Sequence, residues 1–267
     1  MATSTAAGSG HVQGRLWGVR ADDWAEIQEG KVAPAFTAAL DELGVSAGTR
    51  LLDAGCGAGM VLRLAADRGA DVSGLDASEP LLAHARRRVP GATILQGELE
   101  ELPFEDNSFD VVTGFNSFQY AARPVAALAE AVRVVKPDGQ VLLLTWGTPE
   151  QCEAAGYLAA IGQLLPPPPP GAPGPFALSE AEALTALYAG AGLRVTAIAD
   201  VPCEWDYPDQ ATALAGLLAS GPVVFAIEHA GEEAVRQAAT EFLAPFRTDD
   251  GGYRLTNTFR YVIGTPR

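Results

Sequence analysis

Two aspartates and three glycines carry the first chemical signal in this sequence. Asp53 stands before Gly55, Gly57 and Gly59 in the stretch Leu-Leu-Asp-Ala-Gly-Cys-Gly-Ala-Gly, residues 51–59, and Asp76 closes the next apolar stretch. Glycines let the backbone turn sharply and approach a ligand without a Cβ in the way. A helix starting behind them offers unpaired N–H groups. An acid at the end of the following strand can accept hydrogen bonds from both hydroxyls of a ribose.

The spacing selects among nucleotides. A pyrophosphate turn wants Gly-x-Gly-x-x-Gly, and counting from Gly55 the third glycine falls on Met60. The dinucleotide reading thereby loses its helix-packing glycine. A nucleoside without phosphates but with an ammonium at one end fits better, with Asp53 facing the ammonium and Asp76 the ribose. S-adenosylmethionine is such a molecule. Asp53 as a plain helix cap and Asp76 as an ordinary strand-end acid are the alternatives, and the paired spacing favours binding. Cys56 sits among the glycines, but no histidine lies near it in sequence to act as a base, so it reads as a small packing residue.

These residues need a scaffold that brings strand ends together. Apolar runs at 49–55, 70–78, 92–97, 108–115 and 139–147 read as strands, with helical patterns at 58–69, 79–88 and 125–135 between them. Ser78 is the expected N-cap of the second of these helices. Alternation of this kind predicts a parallel sheet covered on both faces, wound with right-handed crossovers. Residues 21–43 show helical spacing interrupted near Pro34. Beyond Gly147 the pattern gives a helix over 150–165, a polyproline stretch Pro166–Pro170 read as a rigid loop, and a helix capped at Ser179. A sixth strand follows over 193–202, then helical sequence over 208–246 with a break at Gly221-Pro222. A seventh strand closes the chain over 253–266. Residues 1–15, small and polar, are expected to be a disordered tail.

Composition narrows the class. The chain has 267 residues, 48% of them hydrophobic, and a net charge of −15. Such a charge repels nucleic acid and anionic membrane surfaces, leaving a small-molecule partner. Three scattered cysteines, Cys56, Cys152 and Cys203, argue against a disulfide framework or a zinc site. No metal is expected. Reduced cysteines and the lack of a secretory signal or a long apolar run point to the cytoplasm.

Taken together, the glycine loop, Gly-Glu-Leu-Glu-Glu-Leu-Pro-Phe at 97–104, Val-Arg-Val-Val-Lys-Pro-Asp-Gly-Gln-Val at 132–141 and Phe-Ala-Leu-Ser-Glu at 176–180 resemble the class I S-adenosylmethionine-dependent methyltransferases, particularly those acting on small molecules. The likeness covers about residues 15–267. It implies a Rossmann-like, doubly wound, seven-stranded α/β sheet, mostly parallel with an antiparallel last strand. It implies one domain over 16–267: a helical lid (16–45), a cofactor-binding core (46–147) and substrate-pocket insertions at 148–178 and 203–250.

The resemblance also assigns roles. Asp53, Gly55 and Gly57 line the methionine part, with Ala54 and Cys56 contributing backbone. Asp76 holds the ribose, with Ala77 beside the adenine. Glu98 stands where the family usually has an Asp that receives the adenine amino group, one carbon longer here, and the Leu99 N–H meets a ring nitrogen. Asn116, flanked by Phe115 and Ser117, contacts the amino-acid end. Trp17, Arg20 and Trp24 form the lid. Phe118, Gln119 and Tyr120, by their place after the fourth strand, together with Trp146 and His229, are candidates for touching the acceptor. His11 is expected in the tail and His84 in solvent. Trp205 and Tyr207 are expected to plug the core.

The expected function is methyl transfer to a small molecule, in natural-product biosynthesis, by a monomer or homodimer that releases S-adenosylhomocysteine. A methyltransferase acting on peptide or protein, and a binding protein that uses the fold for a non-methylating reaction, are the alternatives. The sequence names no base, so proximity and orientation are expected to supply most of the catalysis.

Overall fold

The computed structural model describes residues 8–167 and 174–267. Part of the polyproline stretch, and the first residues of the expected tail, lie outside those ranges.

The strands form one sheet in the order β3-β2-β1-β4-β5-β7-β6. They are β1 (Arg50–Ala54), β2 (Asp71–Asp76), β3 (Thr93–Gln96), β4 (Phe109–Phe115), β5 (Val135–Trp146), β6 (Leu193–Tyr207) and β7 (Tyr253–Pro266). All pairings are parallel except those of β7, which runs antiparallel to both neighbours, β5 and β6. This is the Rossmann-like seven-stranded α/β sheet with an antiparallel last strand that the resemblance implies.

Side chains alternate across the sheet as a strand's period of two requires. Leu51, Leu142 and Leu144 enter the larger core cluster on one face, and Leu52, Ala54, Val141 and Leu143 enter the cluster on the other. The helices that cover these faces are α1 (Gly10–Gly18), α2 (Ala21–Asp23), α3 (Ala33–Glu42), α4 (Met60–Ala66), α5 (Glu79–Arg88), α6 (Pro124–Val134), α7 (Ala154–Gly162), α8 (Ala181–Gly190), α9 (Gln210–Leu217), α10 (Gly221–Ala230) and α11 (Glu232–Leu243). The larger cluster takes residues from α3, α4, α5, α7 and α9–α11, the smaller from α6 and α8. Trp205 and Tyr207 are buried in the larger cluster, as expected of core aromatics.

Several local expectations are corrected. Residues 10–15 are not a disordered tail but the body of α1, and His11 lies on that helix. Between α2 and α3 the chain forms a π-helical turn, Trp24–Gln28, and a 3-10 turn, Glu29–Val32. The irregularity therefore precedes Pro34, which sits in the first turn of α3, where a missing N–H costs nothing. Ser78 holds the N-cap position of α5, but its hydroxyl is buried without a partner. The N-cap of α8 is Glu180 rather than Ser179. The helical region after β6 breaks at 218–220 and again at Gly231. His84 is not solvent-exposed: its side chain is 11% accessible and its Nε2 lies 2.7 Å from an Asp22 carboxylate oxygen, tying α5 to α2. Among the described residues no single helix is long and apolar enough to cross a membrane, and no His, Cys, Asp and Glu group has the spacing to hold a metal ion.

Candidate functional site

At the carboxyl end of the parallel strands the chain leaves β1 through the glycine loop. Gly55 has φ +85°, and a Cβ there would collide with the Ser117 side chain. That close approach lets the Ser117 hydroxyl donate to the Ala54 carbonyl at 2.6 Å, locking the ends of β1 and β4 together. Asn116, also at β4's end, takes φ +51°, a left-handed conformation that Asn tolerates better than most non-glycine residues.

Three carboxylates converge around this loop. Asp53, 1% exposed, accepts from the Thr113 hydroxyl at 2.8 Å. Asp76 accepts from the N–H groups of Gly57 (2.9 Å) and Ser78 (2.8 Å). Glu29 reaches in from the 3-10 turn and accepts from the N–H groups of Ala58 (3.1 Å) and Met60 (3.4 Å). One cation answers them: Arg88 of α5 pairs with Glu29 and donates to the carbonyls of Ala58 and Ala25.

The surplus of negative charge shows in the acidities. Burial pushes the Asp53 carboxyl up to about 7; the Thr113 hydrogen bond opposes this, and the charges of Glu29 and Asp76 add to it. Burial also raises Glu29, against the pull of Arg88, and raises Asp76, against its backbone donors. The Cys56 thiol is driven far up by burial and by the same three acids, which removes it as a nucleophile.

A narrow cleft of about 110 Å³ runs over these groups, roofed by α1 and the Trp24 turn. Of the residues expected to hold a cofactor, Trp17, Trp24, Asp53, Gly55, Cys56, Gly57, Asp76, Ala77, Glu98, Leu99, Phe115, Asn116 and Ser117 line it. Two do not. Ala54 is fully buried and gives only its carbonyl to Ser117. Arg20 turns outward, to Glu232 at 2.8 Å and Asp23 at 3.5 Å, so it pins the roof instead of touching the cleft.

Glu98 spans cleft and roof. Its carboxylate accepts from the Gly10 N–H at the start of α1 (2.7 Å) and from the Leu99 N–H (3.2 Å). The carbon it has beyond an Asp gives it that reach. Gly14 of α1 lies so close to Ala77 that a Cβ would collide with the Ala77 carbonyl.

Sequence reasoning missed Glu29, Gln13 and Gly14, which also line the cleft. A lone Glu in helical sequence reads as a solvated face, and no pattern announced Arg88 opposite it.

A second cavity of about 540 Å³ adjoins the first. Trp17, Trp24, Val32, Asn116 and Tyr120 line both, with Trp17 edge-on to Trp24 (4.7 Å) and to Tyr120 (5.5 Å). Gln119, Tyr120 and Trp146 lie on its wall, where an acceptor contact was expected. Phe118 does not: its side chain is turned into the core beneath β4 and is fully buried. His229 does not either; it is exposed on α10, stacked against Phe225 at 6.5 Å. Residues of α7, α9 and α10, together with 174–178, supply much of the cavity's remaining wall.

The cleft's donors and acceptors fit S-adenosylmethionine. Three acids suit a ligand that is cationic at its ammonium and sulfonium. Each Asp76 oxygen spends one acceptor site on backbone and keeps another for a hydroxyl. A phosphate fits badly, because the N–H groups at the start of α4 that would cradle it already bind Glu29.

Comparison with known proteins agrees. Residues 52–143 match a family described as a methyltransferase domain. The chain is 38% identical over 112 residues to the demethylmenaquinone methyltransferase of Beutenbergia cavernae, covering 42% of this chain and 47% of that protein. It is 33% identical over 172 residues to the malonyl-[acyl-carrier protein] O-methyltransferase of Erwinia pyrifoliae, covering 64% of this chain and 62% of that protein. The chain thus spans about half to three-fifths of the length of these relatives. In fold it resembles an S-adenosylmethionine-dependent methyltransferase from Geobacter sulfurreducens solved with S-adenosyl-L-homocysteine, with TM-score 0.59 and 19% identity over 95% of this chain and 98% of that one. Residues 52–143 are thus similar to a methyltransferase domain, and the sheet around them has the fold of the solved S-adenosylmethionine-dependent methyltransferase from Geobacter sulfurreducens.

Proposed function

We propose that this protein is an enzyme that binds S-adenosylmethionine in the acid-lined cleft and transfers its methyl group to a small molecule held in the adjoining cavity. The observation that carries the reading is the convergence of Asp53, Asp76 and Glu29 on the glycine loop against the single guanidinium of Arg88. S-adenosylmethionine supplies, when bound, a methyl group already activated on a sulfonium.

The protein's part is placement. Asp53 presents a negative charge to the ammonium end, and Asp76 accepts from the ribose. Glu98, whose carboxylate holds the Gly10 and Leu99 N–H groups, turns its remaining acceptor sites to the adenine edge. Trp17, Trp24 and Tyr120, at the shared wall, hold water away from the place where acceptor and methyl meet. No Asp, Glu, His, Lys or Arg lines the second cavity among the described residues, and burial holds the Tyr120 hydroxyl up at about 12. No side chain there is poised as a general base, which supports catalysis by orientation.

Segments 148–178 and 203–250 act as the acceptor-binding insertions. A cavity within the usual range for drug-sized ligands supports a small acceptor over a cationic peptide, and a place in natural-product biosynthesis is part of the same proposal. The two relatives are named for methylating demethylmenaquinone and a malonyl group on acyl-carrier protein.

Isothermal titration with S-adenosylmethionine, S-adenosylhomocysteine and NAD tests the cofactor assignment. Binding of the first two and none of the third is expected. Binding of NAD alone, or of none of them, would overturn it. Transfer of labelled methyl from S-adenosylmethionine to a small molecule in a cell extract then tests the reaction.

A further inference from the structure

On the reading above that the second cavity receives the acceptor, the atom to be methylated must stand at the wall shared with the cleft. Taken out of water, a polar atom there needs a hydrogen-bond partner from the protein. The shared wall is Trp17, Trp24, Val32, Asn116 and Tyr120.

The polar atoms of the second cavity's lining fall into three groups. Trp205 Nε1 and Gln119 Oε1 are closed off, so no occupant reaches them. Others are engaged within the protein. The Tyr157 hydroxyl donates to the Leu217 carbonyl (3.1 Å), and the Trp17 Nε1 donates to Gln13 (3.2 Å). Gln28 Oε1 accepts from Tyr207 (2.7 Å), and Asn116 Oδ1 accepts from Gln119 (3.2 Å). The rest are neither bonded nor closed off among the described residues: the hydroxyls of Tyr120 and Ser220, the amide nitrogens of Gln28 and Asn116, and the indole nitrogens of Trp24 and Trp146.

Three of these six residues belong to the shared wall. The Trp24 nitrogen lies over the glycine loop, 3.7 Å from where a Cβ on Gly57 would stand. Asn116 has its chain neighbours Phe115 and Ser117 in the cleft, whereas Tyr120 has its neighbour Gln119 in the second cavity. Tyr120 is therefore the polar residue that leads from the shared wall into the acceptor space.

Its hydroxyl is also fit for the task. Burial alone raises it to about 12, with no hydrogen bond contributing, so it lies deep and stays protonated in neutral solution. A hydroxyl that is deep, unbonded and yet not closed off faces a cavity. The side chain is held in place: it ends the 3-10 turn Phe118–Tyr120, whose first residue is anchored in the core, and Trp17 stands edge-on to its ring at 5.5 Å. Beyond this end the wall is apolar at Leu158, Ile161, Leu165 and Leu178, and no charged side chain lines the cavity among the described residues. An aliphatic amine, cationic in neutral water, would be left there without a counter-charge.

We propose that the Tyr120 hydroxyl donates a hydrogen bond to an uncharged oxygen at one end of an otherwise apolar acceptor, holding that end at the wall shared with the cleft. Tyr120 is thereby a specificity residue, and the leucine-lined remainder of the cavity takes the acceptor's body.

A double-substitution cycle tests this on the intact protein, with 2-naphthol and 2-methylnaphthalene as probes of like shape that differ in the hydroxyl. Equilibrium dialysis gives the affinity of each probe for wild type and for Tyr120→Phe. The preference for 2-naphthol should fall about three- to tenfold in the variant, the worth of one neutral hydrogen bond. The affinity for 2-methylnaphthalene should stay the same, which shows that the variant is folded. The same fall should appear when S-adenosylhomocysteine is bound. An unchanged preference, failure of 2-naphthol to bind wild type, or its expulsion by S-adenosylhomocysteine would overturn the proposal. Loss of both probes from the variant would overturn it too, since a hydroxyl bonded to nothing in the protein has no structural part to lose. The cycle without cofactor stands even if S-adenosylhomocysteine does not bind, a failure that would count against the cofactor assignment alone.

Discussion

Asp53 ionises only against its surroundings, and this yields a test with two opposite outcomes from one substitution. Its carboxyl is raised from 3.8 to about 7, chiefly by burial at 1% exposure, then by the nearby charges of Glu29 and Asp76. A rise of roughly 3 units corresponds to about 4 kcal/mol between its two protonation states. Because the folded-state pKa lies above the unfolded one, the native protein holds a proton that the unfolded chain has lost. Stability is fullest below about pH 4 from this group alone, and is lost as pH rises from there to about 7. Asp53→Asn removes the charge and keeps an acceptor for Thr113. At pH 8 the free variant should be more stable than wild type by at least about 1 kcal/mol, a Tm gain of about 2–4 °C. The same variant should bind S-adenosylhomocysteine at least tenfold more weakly, because the ammonium loses its counter-charge. In wild type, affinity should rise by up to about tenfold per pH unit between pH 5.5 and 7, with protons released on binding. Differential scanning calorimetry and isothermal titration in buffers of different ionisation enthalpy measure these quantities. A variant that is destabilised and still binds normally would refute the claim that Asp53 is a buried charge kept for a cation, as would a flat affinity from pH 5.5 to 7.

Two further substitutions probe the roof. Gly14→Val drives a side chain into the Ala77 carbonyl and should lift α1 from the cleft; S-adenosylhomocysteine affinity should fall at least tenfold by titration, while the thermal transition moves by only a few degrees. Glu29→Gln leaves Arg88 and the N–H groups of Ala58 and Met60 without their carboxylate. Breaking a fully buried pair costs about 3–5 kcal/mol, and with Arg88 partly in solvent we expect about 1–3 kcal/mol, read from urea unfolding.

What the sequence determined by itself is what local chemistry dictates. The glycine loop had to be a turn after a strand, since apolar residues at 51–52 feed into glycines that alone tolerate φ near +85°. The β7 span could be read from alternation over 253–266, and the helix at 79–88 from Ser78 at its start. The displaced third glycine at Met60 already disfavoured phosphate. Tertiary structure alone decided the rest. Helix α1 opens on small and polar residues and reads as tail, yet Glu98 accepts from its first N–H and Glu228 pairs with Arg15 to hold it over the cleft. Phe118 and Tyr120 are two residues apart after the same strand, and only the turn between them sends one to the core and the other to the cavity wall. Glu29 and Arg88 are far apart in the chain, and nothing in either neighbourhood marks the other. A charge announces its partner only when folding takes both out of water, because only there is the attraction between them strong enough to matter.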